Sequence, residues 1–236
     1  MKKILSRVRR AVDDYNMINE GDKIAVGVSG GKDSLTLLCA LANLQKFYSK
    51  KFDLIAISLD MGFEGMDFSG VKNLCDQLGV EYVLKKTDIA EVIFDVRQEK
   101  NPCSLCAKMR RGGVNDLAVE LGCNKVALGH HNEDVLETFF LSLFYEGRLN
   151  CFSPLTYLSR TDVYVIRPMI YVAEGDIKGY ARRYELPIVH NKCPNDGKSK
   201  RQDMKEFIIS KSKDDKFFKK KMMHAIQTGL PQWIVK

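Results

Sequence analysis

The sequence predicts an α/β protein built on a parallel sheet with helices on both faces. Three observations predict it. Short apolar runs at 23–29, 53–60, 81–84 and 125–129 alternate with helical segments of ten or more residues, the pattern of βαβ units. A glycine pair, Gly30-Gly31, stands where the first run passes into a helical segment. The polar, glycine-containing stretches 29–34, 58–62 and 129–134 each follow a strand, and sheets of this kind bind ligands at the carboxyl ends of their strands.

Taken in order, residues 1–20 read as a basic N-terminal helix. The strand at 23–29 then enters the glycine turn, and the apolar spacing from Ser34 onward is that of a buried helix. Strand 53–60, helix 68–78 and strand 81–84 follow, with a mixed stretch to Asn101 and a helix over 107–121. A fourth strand, 125–129, leads into a long helix over about 133–144. The pattern loosens over 150–161, resumes as a strand at 163–166, and continues through Arg167-Pro168 to a helix near 174–184. His190-Asn191-Lys192-Cys193-Pro194-Asn195-Asp196-Gly197 is a turn-rich loop by composition, and a basic helical tail follows it. The expected division is a basic helix over 1–20, a nucleotide domain over 21–190, and a late cysteine loop with a basic tail over 191–236.

Composition narrows the function classes. No apolar run approaches the roughly 20 residues of a bilayer span, and the basic N-terminus has no apolar segment of a secretory signal behind it, so a cytoplasmic protein is expected. Seven cysteines, an odd number, make a disulfide framework improbable and leave reduced thiols, metal ligands or catalytic sulfur. The net charge of +7 is uneven: residues 151–236 hold 17 Lys and Arg against 9 Asp and Glu, residues 1–150 hold 20 against 21, and five of those 20 lie in the first ten residues. Basic ends point to a polyanionic partner through counterion release, against the plainer alternative of a solvated face. Arg7, Arg9, Arg10, Lys198, Lys200 and Arg201 are the candidates for that contact.

The strand-to-helix turn Ser29-Gly30-Gly31-Lys32-Asp33-Ser34 exposes backbone amides at a helix N-terminus, where the macrodipole also favours anions. It is not the usual phosphate loop. That motif needs Gly five positions before the Gly-Lys and Ser or Thr after the Lys, and here Val26 and Asp33 occupy those places. An Asp beside the phosphate-binding Lys32 suits a site that holds pyrophosphate as the leaving group of attack at an α-phosphate.

Two further constellations carry chemistry. Cys103-Ser104-Leu105-Cys106 places two thiols at the start of a helix, where one metal can be held by both, with Arg110 and Arg111 behind them; zinc, an iron–sulfur cluster and a redox pair all remain open. Cys193 stands in the turn-rich loop and is the third candidate ligand. Cys39, Cys75 and Cys123 fall in or beside apolar helical patterns and read as small core residues, while Cys151 is undecided. Gly129-His130-His131-Asn132-Glu133-Asp134 opens a helix at the end of the fourth strand, so His130 and Asp134 should face the nucleotide edge, where two carboxylates and two imidazoles suit Mg²⁺ binding and substrate orientation.

The loop 29–34 resembles the PP-loop of the N-type ATP pyrophosphatases. Together with Pro102-Cys103-Ser104-Leu105-Cys106, the His-His-Asn-Glu-Asp segment with Glu137-Thr138 behind it, Arg167-Pro168 and Cys193, the stretch 20–210 resembles the tRNA 2-thiocytidine synthetase family. The resemblance implies an adenine-nucleotide α-hydrolase-like fold, ATP with Mg²⁺, a tRNA substrate, and a 4Fe–4S cluster on Cys103, Cys106 and Cys193. It implies catalysis by Lys32, Asp33 and Asp134, and nucleotide binding by Ser29, Gly30, Gly31, Lys32, Asp33, Ser34, Ser58, Asp60, Gly129, His130 and Asp134. The expected partners are tRNA and a sulfur donor such as a cysteine desulfurase or hydrosulfide, and a homodimer is the assembly it allows. The competing readings are another adenylating tRNA enzyme such as lysidine synthetase, and a non-catalytic, zinc-stabilised RNA-binding module.

Overall fold

The computed structural model describes residues 1–97, 102–189, 193 and 200–235. The elements run α1 Lys2–Asp14, β1 Asp22–Gly27, α2 Lys32–Gln45, β2 Phe52–Asp60, α3 Ser69–Leu78, β3 Glu81–Lys86, α4 Ile89–Glu91 with a π-helical turn Val92–Val96, and α5 Pro102–Glu120. They continue as β4 Lys125–Ala127, α6 Asn132–Tyr145, β5 Leu155–Leu158, β6 Val163–Ile166, α7 Glu174–Arg183, α8 Lys200–Asp214 and α9 Phe218–Gly229. The strands form one sheet in the order β3-β2-β1-β4-β6-β5, parallel throughout except for the edge pair β5 and β6.

Alternate residues of the central strands feed two cores. Ile24, Val26, Leu54, Ala56, Ala127 and Ile166 face the larger one, where they meet Leu35 and Leu38 of α2, Leu136 of α6, Ile177 of α7, Ile208 of α8 and Val8 of α1. Ala25, Ile55, Ile57, Val126, Val163 and Val165 face the smaller one against Leu117 and Ala118 of α5. Burial on both sides is why these strands read as unbroken apolar runs.

The differences from the sequence expectation have local causes. β5 lies inside the stretch read as irregular. It is a four-residue edge strand held by its hairpin with β6, where Tyr157 pairs with Tyr164 at a ring separation of 5.0 Å and the turn is made by Asp162 at φ +53°. α5 begins at Pro102 rather than at residue 107, because proline is suited to a first helical position, and this puts Cys103 and Cys106 in its first turn. The basic tail is two helices, α8 and α9, and both send apolar residues into the larger core. Asn101 and the loop around Cys193 lie outside the described residues, Cys193 itself excepted.

Candidate active site

β1 and β4 are neighbours with Val26 opposite Ala127, so the segments that follow them stand side by side where the strand order reverses. Open α/β sheets bind ligands at that crevice. After β1 the chain turns through Gly30 at φ +82°, a conformation only glycine adopts without strain, and a Cβ there would stand 2.6 Å from the Cβ of Val189. The Val189 amide donates to the Gly30 carbonyl at 3.0 Å, which lays the segment after α7 over the loop. Ser34 Oγ donates to the Gly31 carbonyl at 2.9 Å, accepts from the Ser29 amide at 3.2 Å and stands 3.3 Å from Ser29 Oγ. These bonds hold the first turn of α2 open toward an anion. Lys32 Nζ lies 2.9 Å from Asp33 Oδ2 and 3.3 Å from Glu174 Oε1. Burial works against its charge, but Asp33 and Glu174 outweigh burial and hold the ammonium above its ordinary pKa.

Gly129 permits the contact between the two segments, since a Cβ there would lie 3.1 Å from Asp33 C and from Ser34 N. His131 caps α6 in a reciprocal box, its amide donating to Asp134 Oδ2 at 2.9 Å. Its Nε2 is 3.4 Å from Asp134 Oδ2 and 3.7 Å from Asp33 Oδ1, and its Nδ1 is 3.4 Å from Glu133 Oε2, ion-pair distances rather than well-directed hydrogen bonds. Burial opposes protonation of His131, but Glu133, Asp134 and Asp33 prevail and raise its pKa. His130 is the opposite case. Its ring packs on Phe152 at 4.8 Å, and burial first, then the Arg167 guanidinium, push it down to about 4, so it is neutral at physiological pH.

Asp33, Glu133 and Asp134 thus converge on His131, and Asp33 also holds Lys32. Ser58 and Asp60 contribute differently. Ser58 is buried in β2 and its hydroxyl donates to the Val28 carbonyl, supporting the loop from beneath. Asp60 closes the turn after β2, accepting from the Gly62 amide at 3.0 Å.

Several residues of the site were not singled out by their sequence context, and Arg201 was singled out for a different partner. Glu174 gathers Lys32 at 3.3 Å, Lys205 at 3.1 Å and Lys178 at 3.1 Å; burial would raise its carboxyl, but the three lysines hold it down to about 2. Lys219, the first of three consecutive lysines, lies 2.8 Å from Glu133 Oε1. Arg201 reaches Asp134 Oδ1 at 3.3 Å, Glu137 Oε2 at 3.1 Å and Thr138 Oγ1 at 3.2 Å. The only available sequence signal was the acidic start of α7, Glu174 and Asp176, which the helix dipole favours. The other basic candidates are also paired: Arg7 with Asp176 at 2.6 Å, Arg9 with Asp13 at 3.4 Å and Arg10 with Asp14 at 3.3 Å. Lys198 lies outside the described residues.

The cysteines divide by environment. Cys39, Cys75, Cys123 and Cys151 are buried, and Cys151 donates to the Val135 carbonyl at 3.4 Å with its thiol pushed up to about 12 by burial. Cys103 is exposed, and Cys106 and Cys193 are partly so. Cys106 Sγ lies 4.0 Å from the sulfur of Met61, the residue that follows β2, so the start of α5 sits at the same sheet edge as the glycine loop. Its thiol is raised by burial, lowered by Arg110, and raised again by the charges of Cys193 and Cys103, so all three sulfurs belong to one neighbourhood. Among the described residues no three of Cys, His, Asp and Glu stand at mutual metal-ligating distance, so these thiols are neighbours rather than a closed ligand set. An all-thiol donor group on the first turn of a helix suits an iron–sulfur cluster or zinc.

An anion cradle without the usual phosphate-loop spacing, set among acids that suit a divalent cation, defines a PP-loop protein. The family model described as a PP-loop domain matches residues 2–212. The tRNA-cytidine(32) 2-sulfurtransferase of Ralstonia pickettii is 42% identical over 209 residues, 88% of this chain and 66% of that protein. That of Geobacter sulfurreducens is 36% identical over 237 residues, covering 99% of this chain and 92% of the relative. The chain belongs to the tRNA-cytidine(32) 2-sulfurtransferase family. Among solved structures, the U34-tRNA thiolase NcsA from Methanococcus maripaludis, described with its 4Fe–4S cluster, aligns at a TM-score of 0.79 and 25% identity over 96% of this chain and 77% of that one. An NH3-dependent NAD synthetase from Campylobacter jejuni shares the fold at a TM-score of 0.51 and 14% identity, over 98% of this chain and 95% of that one. No helix among the described residues is long and apolar enough to cross a membrane.

Proposed function

We propose that the chain is an ATP-dependent tRNA sulfurtransferase that exchanges the C2 oxygen of a pyrimidine, cytidine by its relatives' names, for sulfur. The C2 oxygen attacks the α-phosphorus of ATP, and the bond to pyrophosphate breaks. A sulfur nucleophile then adds at C2 and AMP leaves with the oxygen. Adenylation is needed because a bare carbonyl oxygen is a poor leaving group.

The observation that carries this reading is the shared edge. The loop of Ser29, Gly30, Gly31 and Ser34 and the thiol group reached through Met61 lie at the carboxyl ends of neighbouring strands β1 and β2. Lys32 and the amides at the start of α2 stabilise the charge that builds on the departing pyrophosphate. Asp33 and Asp134 are the carboxylates offered to Mg²⁺, since both oxygens of Glu133 are taken by Lys219 and the Glu174 amide. Gly129 keeps the segment after β4 against the loop, and His131 fixes the first turn of α6 that carries Asp134. His130, neutral, offers a hydrogen-bonding ring without adding charge. Cys103, Cys106 and Cys193 would hold a 4Fe–4S cluster, which three thiolates leave with one iron open to an incoming sulfur. The division into a helix over 1–20, a nucleotide domain over 21–190 and a cysteine-bearing segment over 191–236 is on this reading one of role rather than of packing, since α1, α8 and α9 share the larger core. A cysteine desulfurase or hydrosulfide is the sulfur donor this chemistry requires, in the reducing cytoplasm that keeps such thiols free.

The test is anaerobic incubation of the iron-loaded protein with ATP, Mg²⁺, sulfide, lysine and unmodified tRNA. The expected result is AMP and pyrophosphate in step with a 2-thiopyrimidine in the digested RNA. ATP turnover without thiolated nucleoside would overturn the sulfur-transfer reading, and lysine attached to the base would favour the lysidine alternative. Lys32→Ala and Asp33→Ala should stop pyrophosphate release and leave tRNA binding nearly intact.

A further inference from the structure

We infer that the end of α6 and the loop after it form a stacking platform for unpaired bases of the RNA substrate, an inference that rests on the tRNA reading above. Phe144, Tyr145 and Leu149 are 52%, 47% and 69% exposed within six residues, with Arg148 among them. Single exposed apolar residues are ordinary on a protein surface, but two adjacent half-exposed aromatics at the end of a helix are a different matter, and Phe144 is held in place by Phe140 and Phe207, each at 5.6 Å, with its outer side open. Lys200 Nζ stands 4.4 Å over the Tyr145 ring. Aromatic faces interleaved with cations are the chemistry of single-stranded nucleic acid, because every base has a face to stack and every phosphate a charge to meet. A second copy of this chain would set its own Arg148 and Lys200 against these two cations, whereas an RNA strand offers them phosphates and offers the rings bases to stack on. Two carboxylates stand nearby and keep their charge, Glu146 accepting from Ser142 Oγ at 3.1 Å and Asp203 facing the Tyr145 hydroxyl at 3.5 Å, so stacking rather than net charge carries the affinity.

The platform is also held rigid. The amides of Glu146 and Arg148 both donate to the Ser142 carbonyl, at 3.1 and 3.0 Å. At its far end the loop is pinned by Cys151 on the Val135 carbonyl at 3.4 Å and by Gln232 on the Cys151 carbonyl at 3.2 Å. A surface fixed in advance loses little entropy on binding. Its position fits the chemistry. Lys200 contacts Tyr145 while the next residue, Arg201, contacts Thr138 and Asp134. Tyr145 lies three turns of α6 beyond Asp134, about 16 Å along the helix, a distance that a strand of tRNA bound at both places spans.

Binding of tRNA by the full chain, followed by fluorescence anisotropy across a salt series, tests the inference with Phe144→Ala, Tyr145→Ala and Lys200→Gln. Melting curves with and without ATP and Mg²⁺ check that each variant folds and binds nucleotide. Each aromatic change is expected to weaken binding about five-fold or more, and Lys200→Gln to flatten the salt dependence by about one unit of slope. If the wild type binds tRNA and the variants bind it equally well, the platform is overturned while the sulfurtransferase reading stands. If the wild type binds no tRNA, both fall. Conversion of a wild-type dimer to monomer by Phe144→Ala with tRNA affinity unchanged would make this face an interface between copies and overturn the inference.

Discussion

Gly30→Ala examines the glycine loop at its tightest point. An alanine at φ +82° incurs the left-handed penalty of about 1–2 kcal/mol. Its Cβ would also stand 2.6 Å from Val189 Cβ, so Val189 and the strap it belongs to must retreat by roughly 1 Å, an overpacking cost of about 1–3 kcal/mol. The total, about 2–5 kcal/mol, corresponds to a fall in melting temperature of about 4–20 °C for a chain of this size. Gly31→Ala is the control. Gly31 has φ −77°, and its Cβ would meet only Ser29 Oγ, at 3.6 Å. Without nucleotide, Gly31→Ala should melt within about 2 °C of wild type, and Gly30→Ala far below it. Pyrophosphate exchange with Gly30→Ala should be lost as the amides turn away from the anion. Equal melting of the two variants would refute the loop conformation described here.

Further expectations follow from the same contacts. Glu174 is held down to about 2 against an ordinary value of 4.5, so its contribution is fully present above about pH 4.5 and is lost as pH falls toward 2. Glu174→Gln should therefore be less stable than wild type in denaturant at pH 6–7, and the gap should narrow steadily down to pH 3; a constant gap would contradict the ion-pair origin. Arg201→Ala should leave Asp134 and the buried Glu137 facing each other without their cation, which predicts faster hydrogen exchange in α8 while β1 and β2 keep their protection. Lys125→Met breaks a buried pair with Asp22, 2.6 Å apart and 4% exposed on each side, and should cost about 3–5 kcal/mol in a urea titration without changing ATP affinity.

The parallel sheet, its central strands and the helix after the glycine pair were legible because each is an uninterrupted apolar period bounded by polar turns. The β5 hairpin was not, since four residues carry too short a period and the strand exists only through its pairing with β6. Lys125 shows a different limit. A lysine at the start of a strand reads as exposed, yet it is buried because Asp22 and the Met17 carbonyl, both distant in sequence, neutralise and bond it. In the site, motif residues such as Lys32, Asp33, Gly129 and Asp134 carried their own signal. Glu174, Lys205 and Lys219 did not, because long-range ion pairs leave no periodic trace and a lysine run looks the same whether solvated or paired, while Arg201 was singled out for a polyanion and is found on Asp134 and Glu137. Cys151 was undecidable from its loop position and is decided by burial against Val135.

Iron and sulfide per chain, after anaerobic reconstitution of single Cys→Ala variants, test the central claim most directly. Cys103→Ala, Cys106→Ala and Cys193→Ala should lose the cluster absorption, the iron and the tRNA thiolation together, while pyrophosphate release with ATP and tRNA persists. Cys39→Ala, Cys75→Ala and Cys151→Ala should keep the iron and lose only packing stability, on the order of 1 kcal/mol. Iron retained without Cys193, or lost without Cys151, would contradict a three-thiol centre at the edge shared with the glycine loop.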